Sequence, residues 1–84
     1  MEQRKNVLII DDEVDLCTLM KRYYIRKGYQ VAIAHTLQAA FQHIEEEKPT
    51  KILLDGSLCT YPYMDIARIK EAAPDAELIL SKAE

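Results

Sequence analysis

Two aliphatic stretches of this chain run straight into acids. Val7 to Ile10 (VLII) is followed by Asp11, Asp12 and Glu13, and Ile52 to Leu54 (ILL) is followed by Asp55. Neighbouring like charges repel, so carboxylates crowded at the end of an apolar run call for a compensating cation. A hard divalent ion takes oxygen ligands, and Mg²⁺ suits one or two carboxylates while keeping several waters. A carboxylate beside such an ion can also attack phosphorus and carry an acyl phosphate. The plainer account is a solvated helix start, because an acid at a strand-to-helix junction can cap the helix or sit favourably near its positive end. Taken alone, the residues leave both accounts open.

The surrounding pattern shows what must position these acids. Val7 to Ile10 is short and mostly β-branched, which suits a buried parallel strand. From Val14 the period changes: Leu16, Leu19, Met20, Tyr23 and Tyr24 recur at helical spacing, and Gly28 supplies a stop. Tyr29, Val31 and Ile33 alternate as a second strand. Thr36 is placed to cap a helix with the stripe Leu37, Ala40, Phe41 and Ile44, and Pro49 follows its acidic end. Ile52 to Leu54 is a third strand. The turn GSLCTYP leads to a third helix from about Tyr63 to Ala73, with Ile66, Ala67 and Ile69 facing inward, and Pro74 and Asp75 end it. Leu78 to Leu80 makes a fourth strand.

Strands alternating with helices imply βαβ units and a parallel α/β sheet. No linker, repeat or low-complexity tract divides residues 1–84, so one domain is expected. In such sheets ligands bind outside the carboxyl ends of the strands, where strand order reverses. If the first and third strands are neighbours, Asp11, Asp12 and Asp55 meet there.

Composition narrows the partners. The formal charge of -3 gives no electrostatic footprint for nucleic acid, and Lys21, Arg22, Arg26 and Lys27 read as the wet face of a helix. No apolar run approaches the roughly 20 residues that span a bilayer, and no signal-peptide pattern precedes Val7. Cys17 and Cys59 lack CxxC spacing and read as reduced thiols, so a cytoplasmic location is expected. Cys59 has no predicted activating neighbour. His35 and His43 lie eight apart, without the spacing of a helical metal pair, and are assigned to the surface. Tyr61, Tyr63 and Met64 either form a contact patch or seat the third helix; the sequence does not choose.

The segments VLIIDDE, RKGYQV, KILLD and RIKEAAPDAELILS together resemble the receiver domain of two-component response regulators, over Val7 to Ser81. The resemblance implies a flavodoxin-like, three-layer fold with strand order 2-1-3-4 across the part present. Carried over by position, it makes Asp55 the phosphoacceptor. Asp12 would ligate Mg²⁺ directly, Asp11 directly or through water, and the Ser57 backbone carbonyl would be a further ligand along with Asp55. Ser81 matches the hydroxyl residue that hydrogen-bonds the phosphoryl group and reports its presence. The implied partner is a histidine kinase or phosphotransfer protein. Any chemistry would be confined to gain and loss of the phosphoryl group at Asp55, without turnover of external substrates.

The sequence also departs from the family. A receiver has five strands and five helices, whereas the pattern here accommodates four and three, so the C-terminal part of a full receiver is expected to be missing. No residue matches the family's lysine at the end of the fifth strand, and Lys82 follows Ser81 where a small residue is usual. The loop after Asp55 is irregular: Pro62 is displaced and the usual glycine is absent. A short sheet leaves Leu78–Leu80 as an aliphatic edge and the Leu16/Leu19/Met20/Tyr23 side with less cover, which predicts a homodimer through the fourth strand or the uncovered helix face. Two rival functions follow. One is a degenerate, unphosphorylated receiver that serves as a dimerisation or protein-binding module. The other is a small Mg²⁺-dependent phosphohydrolase, which would want an acid where Ser57 stands.

Overall fold

A computed structural model describes residues 5–81. Its strands are β1 (Asn6–Ile10), β2 (Gln30–Ala34), β3 (Lys51–Asp55) and β4 (Glu77–Ser81), all parallel and ordered β2-β1-β3-β4. The connecting helices are α1 (Val14–Arg26), α2 (Leu37–Glu47) and α3 (Pro62–Ala72). This is the expected α/β arrangement and order. Among the described residues, no helix is long and apolar enough to cross a membrane.

The sheet divides the apolar residues by strand alternation. Leu8, Ile10, Ile52 and Leu54 face one side and pack with Ala40 and Ile44 of α2 and Ile69 of α3. Val7 and Ile9 face the other and pack with Cys17, Met20 and Tyr24 of α1. A cross-strand row Ile33–Ile9–Leu53–Ile79 lies on this second face. Leu53 is half-buried at the edge of that cluster, while Ile79 is exposed.

Helix ends follow local chemistry. The Thr36 hydroxyl accepts from Ala39 N–H at 3.1 Å, satisfying one of the free donors at the start of α2. Thr36→Ala should cost about 1 kcal/mol and lower Tm by about 4–8 °C for a domain of this size. A thermal melt by circular dichroism checks this. Gly28 adopts φ +92° after α1, a backbone that favours glycine. Pro62 stands in the first turn of α3, where its fixed φ and missing N–H suit the helix start. The displaced proline of the irregular loop is therefore a helix opener.

One inward assignment is corrected: Ala67 is exposed, and Ile69 with half-buried Ile66 carries the α3 contact. On α1, Leu19 is 61% exposed and Tyr23 is also on the surface, on the side expected to have less cover, and Cys17, 1% exposed, fills the seat beside Val7 and Ile9.

Candidate functional site

Ile10 pairs with Leu54 across β1 and β3, so the residues that follow emerge side by side at the carboxyl edge of the sheet. One carboxylate oxygen from each of Asp11, Asp12 and Asp55 lies within 4.8 Å of the other two. Asp11 is 1% and Asp55 2% exposed, while Asp12 faces solvent.

The two buried acids are held by the same local device. Asp11 Oδ1 accepts from Glu13 N–H at 2.9 Å, and Asp55 Oδ1 accepts from Ser57 N–H at 3.0 Å. Each is a side-chain turn that ties one carboxylate oxygen to the chain two residues on. Neither bond caps α1, whose N-cap is Glu13 without a side-chain capping bond. A simple helix-start role therefore does not account for Asp11. Its other oxygen, Oδ2, is buried and has no hydrogen-bond partner. An unpaired buried polar atom costs about 1–3 kcal/mol, and more when charged. A cation held among the three acids would relieve both that cost and their mutual repulsion. The donors are all hard oxygens, which fits Mg²⁺ or Ca²⁺ and not a soft metal.

The Asp11 peptide is fixed from several directions. Its N–H donates to the Ala34 carbonyl at 3.0 Å. Its carbonyl accepts from the Cys17 thiol at 3.4 Å and faces His35 Nδ1 at 2.8 Å. A carbonyl can only accept, so His35 must carry a proton on Nδ1. His35 is exposed, as expected, yet it has this positioning contact.

Ser57 lies in the short 3₁₀ turn Gly56–Leu58. The sequence singled it out for its carbonyl, but its hydroxyl also donates to Asp55 Oδ1 at 2.9 Å. That contact was missed, although a serine two residues after an aspartate at a strand end is a turn signal. Ser81 pairs with Asp55 across β3 and β4. Its hydroxyl points to the Leu54 carbonyl at 3.5 Å, the outer limit of a hydrogen bond. Asp11, Asp12, Asp55, Ser57 and Ser81 thus share one edge of the sheet. Lys82 lies outside the described residues.

Cys59 is half-buried beside this loop. Burial first, then the charges of Asp65 and Asp55, push its thiol above the ordinary 9.0. The thiolate is the reactive form, so iodoacetamide alkylation of Cys59 should be slower than that of free cysteine at pH 8. Its pH–rate midpoint should fall above 9.0, and mass spectrometry of the modified peptide reads both. Asp65 instead accepts from Tyr61 N–H at 3.2 Å through Oδ2 and anchors the start of α3. Tyr63 is 93% exposed, and Tyr61 and Met64 are also exposed. They do not seat α3.

No protein-family model matches the chain. It is 39% identical over 54 residues to the alkaline phosphatase synthesis transcriptional regulatory protein PhoP of Bacillus subtilis (strain 168), covering 64% of this chain and 22% of that protein. A response regulator structure from Burkholderia pseudomallei, determined with a phosphorylated aspartic acid, calcium ion and citrate, superposes with a TM-score of 0.82 at 31% identity. That match covers 90% of this chain and 45% of the other. The beryllofluoride-activated NtrC4 receiver domain dimer gives a TM-score of 0.76 at 29% identity, over 89% and 63% of the two chains. This chain spans less than two-thirds of the length of each.

Proposed function

We propose that this chain, a response-regulator receiver domain by its sequence motifs and fold, accepts a phosphoryl group on Asp55 and signals through a partner protein. The observation that carries the reading is the cluster of Asp11, Asp12 and Asp55, in which Asp11 also has a buried oxygen, Oδ2, without a hydrogen-bond partner. A buried orphan oxygen is not a feature of a merely solvated acidic edge.

Asp11, Asp12 and Asp55, with the Ser57 carbonyl, would hold Mg²⁺. When bound, the ion neutralises the carboxylates and the incoming phosphoryl oxygens. The chain's own residues do the rest. Asp55 is the nucleophile at the end of a buried strand, fixed in direction by its turn with Ser57. Asp11 and Asp12 supply negative charge beside it. The Ser81 hydroxyl, opposite Asp55 on the adjoining strand, can turn from the weak contact with Leu54 toward a phosphoryl oxygen and so mark the phosphorylated state.

The phosphoryl donor would be a histidine kinase or phosphotransfer protein, with a small acyl phosphate as a laboratory substitute. Incubation with acetyl phosphate and Mg²⁺, followed by intact mass, tests the reading. One added phosphoryl group, mapped to Asp55, is the expected result. No adduct under these conditions would favour the rival, a receiver used only for binding or dimerisation.

Self-association fits either reading. Ile79 and Leu80 of β4 are exposed, as are Leu19 and Tyr23 of α1. A β4 edge of this kind can pair with a second chain. A homodimer through β4 or the open α1 face should appear in size-exclusion chromatography with light scattering at micromolar concentration. A Leu80→Lys variant should shift it toward monomer, and a wild-type monomer at that concentration would defeat the proposal.

A further inference from the structure

Of the clustered acids, Asp12 alone is not held by its side chain. Asp11 and Asp55 each tie Oδ1 into a turn, whereas the Asp12 carboxylate faces solvent and accepts no hydrogen bond among the described residues. Its place beside the other two therefore depends on its backbone. We infer that His35 sets that backbone: by donating from Nδ1 to the Asp11 carbonyl, it positions Asp12 for the divalent ion and raises the affinity of the site. The inference rests on the reading of Asp11, Asp12 and Asp55 as ligands of Mg²⁺.

The ring stands in for a missing rung of the sheet. At one end of the β1–β2 ladder Gln30 N–H donates to the Lys5 carbonyl at 2.8 Å, and at the other Asp11 N–H donates to the Ala34 carbonyl at 3.0 Å. Rungs of a parallel pair are evenly spaced, so the next would run from the Thr36 N–H to the Asp11 carbonyl. The chain leaves the sheet there, because Thr36 is the N-cap of α2. No backbone N–H among the described residues reaches the Asp11 carbonyl. His35 Nδ1 fills the gap at 2.8 Å, and the Cys17 thiol, a weak donor, lies at 3.4 Å. The residues on either side fix the ring: Ala34 ends β2 in the core, and the Thr36 hydroxyl caps α2.

The Asp11 carbonyl and the Asp12 N–H belong to one planar peptide, so a bond to that carbonyl sets the direction in which the Asp12 Cα leaves. Without the ring, the thiol contact alone would resist rotation of the peptide. Asp12, repelled by the buried Asp11 and Asp55, would turn toward water, and ion binding would have to bring it back. Ligands oriented in advance bind more tightly because that ordering precedes the ion. His35→Ala should therefore raise the Mg²⁺ dissociation constant about tenfold, the lower end of the effect of removing a group that orients a ligand. In His35→Asn the side-chain amide places an N–H near the position of Nδ1, and the constant should return to within about threefold of wild type. His35 is exposed and outside both apolar clusters, so both variants should fold, checked by metal-free melts. A brace that only stabilised the fold would lower the metal-free Tm without separating the two variants in Mg²⁺ affinity.

The experiment titrates each full chain with magnesium chloride and follows the Asp12 and Asp55 amide signals in ¹H–¹⁵N NMR spectra. Long-range ¹H–¹⁵N spectra of the wild type read the His35 tautomer without any variant, and the proton is expected on Nδ1. A neutral ring protonated on Nε2, equal constants for wild type and His35→Ala, or no recovery in His35→Asn would each overturn the role of His35 while leaving the acids as metal ligands. A wild-type chain that binds no Mg²⁺ would overturn the metal reading itself, and this inference with it.

Discussion

Asp55→Asn is expected to fold, to gain stability, and to take no phosphoryl group from acetyl phosphate. An amide retains Oδ1, so the turn that accepts from Ser57 can persist. It lacks a nucleophilic carboxylate oxygen, and the acyl phosphate cannot form. Stability should rise because one of the crowded charges is gone and the new amide can donate toward Asp11 Oδ2, which has no partner in the native chain. Relief of like-charge crowding at this range is worth on the order of 1 kcal/mol, or about 4–8 °C in Tm without added metal. Mg²⁺, which should raise the wild-type Tm by binding only the folded state, should do so far less in the variant. Intact mass and melts with and without Mg²⁺ read all these outcomes. A phosphorylated Asp55→Asn protein would move the acceptor elsewhere, and an unchanged melt would deny the crowding.

Leu54→Ala should be the most damaging single change to the fold. Leu54 is fully buried, stands between Ile10 and Leu80 in the sheet, and packs in the cluster shared with α2 and α3. Removing a buried leucine side chain to alanine costs about 2.7–5 kcal/mol. A core of this size supplies roughly 3–5 kcal/mol of net stability, so the variant should be largely unfolded at 37 °C. The loss would reach the site too, since Leu54 immediately precedes Asp55. Far-UV circular dichroism through a temperature ramp is the check. A Tm within a few degrees of wild type would mean that this face of the sheet is not packed as described.

The strands and the acids at their ends were legible because the sequence displays an aliphatic run and its end directly. The strand order, and with it the meeting of Asp11, Asp12 and Asp55, came from the resemblance to the receiver family, since periodicity does not say which strands are neighbours. The inward face of α1 was not legible. Leu16, Cys17, Leu19, Met20, Tyr23, Tyr24 and Ile25 spread apolar side chains around most of that helix, so periodicity could not choose a register. The choice fell to tertiary contact: Cys17 is the residue whose thiol reaches the Asp11 carbonyl. Pro62 looked misplaced by comparison with the family, yet it is a sound first-turn residue for α3. The Ser57 hydroxyl escaped because the carbonyl carried over from the family drew attention to the backbone. The orphaned Asp11 Oδ2 could not have been read from composition at all, since it depends on which neighbours the fold withholds.

The fixing of the Asp11 peptide has a consequence for how this protein comes apart. One residue bridges three elements: its amide to the end of β2, its carbonyl to α1 and to the start of the segment before α2. Local fraying cannot free it without separating those elements from β1. The Asp11 amide should therefore exchange with deuterium only through whole-molecule opening, at the slowest rate the chain shows. The acidic pocket would then survive as long as the sheet does, with no partly melted form in which the helices persist and the pocket is lost.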